Sequence, residues 1–127
     1  MLFRSLTSGR AAIAPHRFDP SLPANAAKYD AVERLIEVAE GIGVSLPELA
    51  IAFVTTHPAV TSVISGPRTM EQLDGLLKAA DLTLDDATLD RIDEIVPPGT
   101  DLWDTDAAWR PQSLTNPTTR RRPPTDR

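Results

Sequence analysis

The chain has 127 residues, of which 41% are hydrophobic and 24% are charged, and its formal net charge is −5. That length suits one small domain, and the composition is ordinary for a globular protein. The sequence has no cysteine, which excludes disulfides, thiol catalysis and cysteine metal sites and suits a reducing cytoplasm. It also has no apolar run of about 18 residues, so we expect no membrane span and a cytoplasmic location.

The charge is unevenly distributed along the chain. Residues 28–109 carry sixteen acidic and five basic side chains, whereas the flanking segments 1–27 and 110–127 are basic. Nucleic-acid binding depends on neutralising phosphates, for which an acidic body is unsuited. We therefore expect no nucleic-acid partner and a basic C-terminal segment that is solvated.

The N-terminal part of the sequence predicts a loop followed by two helices. Residues 1–28 hold three prolines and show no sustained hydrophobic period, which indicates a long loop. Residues 26–42 carry apolar side chains at helical spacing and predict the first helix. Ser45 and Glu48 have the spacing of a capping box, in which each side chain accepts from the other residue's amide. A second helix is therefore predicted after Ser45, and it ends before Pro58.

A short strand and two further helices are predicted next. Residues 60–64 are β-branched apart from one serine and predict a strand. Residues 69–72 form a second capping box, which predicts a third helix. Asp85 is placed to cap a fourth helix over residues 86–95. The remaining residues, 97–127, hold six of the twelve prolines and predict an extended tail.

One strand among four helices is an incomplete set of elements for an independent domain. A lone strand leaves its backbone groups without ladder partners. The order helix, strand, helix is typical of a segment of an alternating α/β architecture. We therefore expect an α/β fold that is mostly helical in this chain and whose sheet is incomplete.

The middle of the chain resembles the last βα unit of aldo-keto reductases. The shared pattern is an apolar helix, a His-Pro pair, a strand ending in glycine, and then Arg-Thr-x-Glu-Gln-Leu. In this chain those features are, in order, residues 49–54, His57-Pro58, residues 60–66 and Arg68-Thr69-Met70-Glu71-Gln72-Leu73. The resemblance covers residues 29–96 and implies the C-terminal part of a (β/α)8 TIM barrel, with residues 60–64 as its eighth strand. Residues 1–28 would then be the loop after the seventh strand, and residues 97–127 the extended tail.

The resemblance also implies a function, because aldo-keto reductases reduce carbonyl groups to alcohols with a hydride from NADPH. We therefore expect NADP(H) as cofactor and a small carbonyl compound as substrate. The local sequence is compatible with this, since a strand end, a glycine turn and a helix start direct free amides towards an anion. The residues implied to bind the 2′-phosphate and adenosine are Ser65, Gly66, Arg68, Thr69 and Gln72.

Two features of this segment leave its role open. The Arg68 guanidinium can bind a phosphate bidentately, but the local sequence equally allows it to pair with Glu71 while Thr69 only caps a helix. Many relatives carry Glu and Asn where this chain has Gly75 and Leu76. Adenine contacts from this helix are therefore expected to be weak, and the phosphate contact to matter more.

The catalytic residues of the family are not matched in this chain. The resemblance places the family's catalytic Asp, Tyr, Lys and His on early strands, upstream of everything matched here. A barrel of this type needs about 250 residues, so the resemblance implies a fragment that is inactive by itself. Its uncovered apolar faces predict self-association.

The sequence is also compatible with two other functions. One is a non-catalytic helical module that binds a partner through uncovered apolar faces. The other is a helix-turn-helix DNA-binding protein, since residues 38–45 resemble the turn before a recognition helix. Residues 46–54 carry no basic or amide side chain that could contact bases or phosphate, which disfavours this second function.

The predicted tail contains side chains of interest. Asp104 and Asp106 could suggest a metal site, but they lack a scaffold to organise them, and no metal ligand is predicted. Trp103 and Trp109 fall where the C-terminal segment of aldo-keto reductases can cover the substrate mouth, so the resemblance implies a place for them there.

Overall fold

Helices dominate the part of the chain that the computed structural model describes, residues 10–58 and 60–103. The five α-helices are α1 (Arg10–Ile13), α2 (Pro23–Gly41), α3 (Leu46–Thr55), α4 (Met70–Lys78) and α5 (Asp86–Ile95). Two 3-10 turns, Pro15–Arg17 and Ala79–Asp81, precede α2 and follow α4. The four predicted helices are thus confirmed as α2 to α5. Helix α2 begins at Pro23 rather than at residue 26, because proline is accommodated in a first helical turn.

Helices α3 and α5 begin at the side-chain caps that the sequence predicted. The Ser45 hydroxyl accepts from the Glu48 amide at 3.4 Å, and the Glu48 carboxylate accepts from the Ser45 amide at 2.7 Å, which completes the capping box. At α5, the Asp85 carboxylate accepts from the Thr88 amide at 2.8 Å. These bonds satisfy amides that have no acceptor inside their helix, and they determine where α3 and α5 begin.

The strand predicted at residues 60–64 is not formed, so that prediction was wrong. Residues 60–67 have no regular secondary structure, and no strand occurs anywhere in residues 10–58 and 60–103. A strand needs a neighbouring strand to pair with its amides and carbonyls, and the described residues offer none. The amide of Val60 instead donates to the His57 carbonyl at 2.9 Å, and the Ile64 side chain is 99% exposed.

The hydrophobic core lies where α2, α3 and α5 meet. Helix α5 packs along α2, and α3 packs against α2, against α4 and against the turn that follows α4. The buried side chains of the core are Val38, Ala39, Leu49, Ala52, Leu84, Leu89 and Ile92. Helix α4 contributes no buried residue, so it lies at the edge of this core.

Residues 10–22 are more ordered than the predicted loop. They contain α1 and a 3-10 turn, and three side chains on one face of α2 bind the backbone carbonyls of residues 16–19, which precede α2. Their spacing of three and four positions places them on the same face of a helix. The Asn25 side chain donates to the carbonyls of His16 and Asp19 at 3.0 and 2.8 Å. Lys28 donates to the Arg17 carbonyl at 2.8 Å, and the Tyr29 hydroxyl donates to the Phe18 carbonyl.

The start of the predicted extended tail also folds back on the helices. The Thr100 amide donates to the Pro97 carbonyl at 2.9 Å, and Gly99 has a φ of 84°. Proline followed by a glycine with positive φ is the arrangement of a type II turn. Beyond the turn, the ammonium of Lys28 lies 3.8 Å from the centroid of the Trp103 ring. Residues 97–103 thus contain a turn and a contact with α2.

Residues 104–127, with Asp104, Asp106 and Trp109, lie outside the described residues. Among the residues that are described, no group of three or more histidine or carboxylate side chains is placed to hold a metal ion. No single helix there has the length and apolar character to span a membrane, although α2 and α3, bent by 88°, meet those criteria as a pair.

The cap at Asp85 makes the stability of α5 dependent on pH. Hydrogen bonding from Thr88 lowers the pKa of Asp85 below its usual value of 3.8. Because the folded pKa is the lower one, this contribution is complete above the unfolded pKa and is lost as pH falls through the folded pKa. At neutral pH we expect Asp85→Ala to lower the melting temperature by a few degrees, as loss of a helix cap does.

Asparagine is the matched control, because it caps a helix without carrying the titrating group. Asp85→Asn should melt close to the unsubstituted chain at pH 7 and lose less stability on acidification to pH 3. Circular dichroism melts of the three chains at both pH values measure this. Equal melting temperatures of the alanine and asparagine variants at pH 7 would contradict the assigned cap.

Candidate cofactor-binding site

The turn that leads into α4 presents unpaired amides beside a cation. The Thr69 hydroxyl accepts from the Gln72 amide at 3.2 Å and caps the helix. The Thr69 carbonyl accepts a hydrogen bond from the Leu73 amide at 3.1 Å, and this is the first backbone hydrogen bond of α4. The amides of Met70 and Glu71 therefore have no acceptor within the helix. Such amides, together with the helix dipole, favour an anion at this end of α4.

Gln72 makes a different bond from the one expected of a capping box. Its side-chain oxygen accepts from the Arg68 amide at 2.8 Å, rather than from the amide of Thr69. The bond closes the turn one residue further back and fixes the backbone that carries Arg68. The amide nitrogen of the Gln72 side chain is left to donate to a ligand.

A pocket of about 330 Å³ lies between the first turns of α3 and α4. The start of α3 forms one side of this pocket, and the glycine-proline turn and first two turns of α4 form the other. Its lining residues are Ser45, Pro47, Gly66, Pro67, Gln72, Gly75 and Leu76. The two capping motifs of the sequence thus lie on opposite sides of one pocket.

The structure places the five predicted cofactor-binding residues in two groups. Gly66 and Gln72 line the pocket. Ser65, Arg68 and Thr69 are exposed and adjoin them in the chain without being part of the lining. Ser45 and Pro47 were missed by the sequence reasoning, because a helix cap indicates where a helix begins and not which other helix lies opposite.

Arg68 is exposed, which leaves its guanidinium accessible to a ligand. The alternative interpretation required an ion pair between Arg68 and Glu71. Within residues 10–58 and 60–103 no such pair is present, although Thr69 does act as a cap. The cap and a phosphate site are compatible, because capping uses the Thr69 hydroxyl and leaves the Arg68 side chain unengaged.

On the α3 side of the pocket, Ser45 is hydrogen-bonded to the Glu48 carboxylate. The Ser45 hydroxyl and then the Ser45 amide hydrogen-bond to the Glu48 carboxylate and lower the pKa of Glu48 below its usual value of 4.5. The positive charge of Lys78 lowers that pKa further. The donors suited to an anion, Arg68 and the amides of Met70 and Glu71, lie at the start of α4.

Gly75 forms part of the pocket wall in the middle of α4. A Cβ atom added there would meet nothing within 4 Å, so alanine fits without strain. We expect Gly75→Ala to stabilise the chain by about 1 kcal/mol, the difference in helix propensity between the two residues. Urea unfolding followed by circular dichroism measures this change.

Gly43 provides a control of opposite sign for that substitution. It has a φ of 75° at the end of α2, a conformation that strains any residue with a Cβ atom. Gly43→Ala should therefore destabilise the chain although the space around it is equally open. Destabilisation by both substitutions would show that Gly75 is needed for a contact that the structure does not contain.

A model of the aldo/keto reductase family matches residues 4–97. The chain belongs to the aldo/keto reductase family. It is 35% identical over 66 residues to an uncharacterized oxidoreductase, YrpG, of Bacillus subtilis (strain 168), a match that covers 52% of this chain and 20% of that protein. It is 36% identical over 67 residues to a probable voltage-gated potassium channel subunit beta of Arabidopsis thaliana, covering 51% of this chain and 20% of that protein.

This member of the aldo/keto reductase family thus matches about a fifth of the length of each of these curated relatives. No solved structure matches the chain significantly. The family fold is a TIM barrel.

The residues at the start of α4 fit the phosphate of a nicotinamide dinucleotide. Aldo/keto reductases generally use NAD(P)H. A phosphate needs charge-assisted donors, and the exposed Arg68 side chain and the amides of Met70 and Glu71 supply them. The pocket beside them is lined by neutral and largely apolar groups, which suit an uncharged ring system.

Proposed function

We propose that this chain is the C-terminal part of an NADPH-dependent aldo/keto reductase barrel and binds the 2′-phosphate and adenosine of NADP(H). The complete enzyme would reduce a small carbonyl compound to an alcohol with the hydride that NADPH supplies. In this chain Arg68 and the first amides of α4 would bind the phosphate, and Gly66 and Gln72 would face the adenosine. Ser65 and Thr69 would shape the turn between them.

The observation that supports this proposal most strongly is the position of Arg68 at a capped helix start beside a pocket. The 2′-phosphate is the group that distinguishes NADPH from NADH, and it is an anion with several acceptor oxygens. The exposed guanidinium and the free amides of α4 offer complementary donors at one point. Gly75 and Leu76 add no hydrogen-bonding side chain for the adenine, so selectivity would depend mainly on the phosphate.

Adenosine 2′,5′-bisphosphate tests this proposal on the chain itself, because it is the part of NADP that these residues would bind. We expect calorimetry to show binding about tenfold tighter than that of AMP, which lacks the 2′-phosphate. Adenosine 3′,5′-bisphosphate has the same charges in a different arrangement and is the matched control. Equal binding of the two bisphosphates would mean that the chain responds to charge alone, and the proposal would be abandoned.

We also propose that the catalytic groups of the complete enzyme come from outside this chain. None of its tyrosine, lysine or histidine side chains matches the family's catalytic set. The only tyrosine, Tyr29, donates its hydroxyl to the Phe18 carbonyl and so holds a loop. A catalytic acid would need that proton for the substrate.

The expected result is that this chain, purified by itself, does not catalyse carbonyl reduction. Absorbance at the NADPH band should stay constant when the chain is mixed with NADPH and a reactive aldehyde such as 4-nitrobenzaldehyde. The control is the same mixture without protein. Steady NADPH oxidation above that control would show that a catalytic group is present here after all.

Two further properties belong to the same proposal. A cytoplasmic location is supported by the lack of cysteine in the 127 residues. Self-association of the chain, or its action as an interaction module, is supported by three exposed apolar side chains. Ile64, Met70 and Leu77 are 99%, 70% and 60% exposed, and sedimentation velocity at increasing concentration measures whether they drive association.

A further inference from the structure

A second pocket lies between α2 and the segment that precedes it. Its volume is about 170 Å³, and its lining combines two cationic side chains with two aromatic ones and a valine. The lining residues are Arg17, Phe18, Lys28, Tyr29 and Val32. None of them belongs to the turn at α4 that the proposed cofactor site uses.

Hydrogen bonds from α2 hold the walls of this pocket in place. Lys28 donates to the Arg17 carbonyl at 2.8 Å, and the Tyr29 hydroxyl donates to the Phe18 carbonyl. Both bonds join a residue of the helix to a residue of the opposite wall. The pocket is therefore pre-formed, which lowers the entropy lost when a ligand binds.

The ammonium of Lys28 gives this pocket a positive potential. Partial burial of the ammonium, and then the positive charge of Arg17, lower the pKa of Lys28 below its usual value of 10.5. Within the described residues, no carboxylate contributes to that shift. An anion beside Lys28 would offset both effects, because it would replace lost hydration and oppose the charge of Arg17.

We propose that this pocket binds a carboxylate carried on a small apolar body, such as an aromatic acid. The carboxylate would accept a hydrogen bond from Lys28 in the positive potential that Arg17 strengthens, and the apolar body would contact Phe18, Tyr29 and Val32. A fully polar anion would leave those apolar walls unused, and a neutral aromatic would leave the Lys28 ammonium with only the Trp103 ring and the Arg17 carbonyl as partners. The proposal is independent of the proposed function, since it concerns different residues and a different ligand.

The probe is 4-fluorobenzoate, with 4-fluorobenzamide as its neutral counterpart, each titrated against the complete chain by fluorine NMR. We expect saturable binding of the benzoate that is about tenfold tighter than that of the benzamide, the effect of one charge-assisted bond. Lys28→Met should weaken benzoate binding about tenfold, whereas Lys28→Arg should restore it. Lys78→Met, the same change on exposed α4, should leave binding unaffected.

The Val32→Phe variant distinguishes binding in the pocket from binding to surface charge, because it fills the cavity and changes no charge. It should abolish benzoate binding while circular dichroism shows the helices intact. Equal binding of benzoate and benzamide, equal losses in Lys28→Met and Lys78→Met, or full binding by Val32→Phe would each overturn the proposal. Displacement of the benzoate by adenosine 2′,5′-bisphosphate would overturn it too, since the anion would then lie at α4.

Discussion

Replacing Arg68 with alanine is expected to weaken the binding of adenosine 2′,5′-bisphosphate to this chain by about tenfold. A charge-assisted hydrogen bond contributes about 1.5–3 kcal/mol, and each 1.4 kcal/mol corresponds to a factor of ten in affinity. The exposure of Arg68 places the expected value towards the lower end of that range, because solvent screens the charge. In the complete enzyme the same substitution should weaken NADPH binding and leave NADH binding nearly unchanged.

The comparison of two ligands makes the Arg68 prediction specific. AMP lacks the 2′-phosphate, so its affinity should be the same for Arg68→Ala and for the unsubstituted chain. Arg91→Ala removes an exposed arginine from α5 and is the matched control for the loss of one positive charge. Equal losses for AMP and the bisphosphate would identify Arg68 as a structural residue and remove the phosphate assignment.

Replacing Leu89 with alanine should have the largest effect on stability. Leu89 is 2% exposed and lies in the core formed by α2, α3 and α5. Leucine-to-alanine changes in a core cost about 2–5 kcal/mol, because they lose burial and leave a cavity. A small core offers little stability in reserve, so we expect the helices of this variant to be largely unfolded at about 37 °C.

Leu77→Ala is the control for that experiment. Leu77 is also helical, but it is 60% exposed on α4, which contributes no buried residue. Its replacement should change the free energy of unfolding by no more than about 0.5 kcal/mol. Urea titrations followed by circular dichroism measure both variants, and similar losses in the two would show that the assigned core is wrong.

The helices could be predicted from the sequence because their signals are local. Ser45 with Glu48, and Asp85 before Thr88, place a hydrogen-bonding side chain three residues from an otherwise unpaired amide. Each of these capping bonds depends on two residues that are close in sequence and on little else. The strand at residues 60–64 failed for the opposite reason, since a strand depends on partners that no local pattern supplies.

The candidate site could be predicted only in part. The segment around Arg68 was found through its resemblance to a family, and the structure places Gly66 and Gln72 of that segment in a pocket. The opposite wall, Ser45 and Pro47, depends on how α3 packs against α4. That packing is set by contacts between residues that are distant in sequence. The contact between Lys28 and Trp103 is also between distant residues, and the interpretation of residues 97–103 as an extended tail did not include it.

The central claim is that the start of α4 binds the 2′-phosphate of NADP(H). The most direct test is to map amide chemical shifts of the ¹⁵N-labelled chain during titration with adenosine 2′,5′-bisphosphate. We predict saturable shifts at Gly66, Met70 and Glu71 that are much smaller with AMP and absent from Arg68→Ala. Shifts that are the same with AMP, or that occur around Arg17 and Lys28 while α4 is unaffected, would contradict that claim.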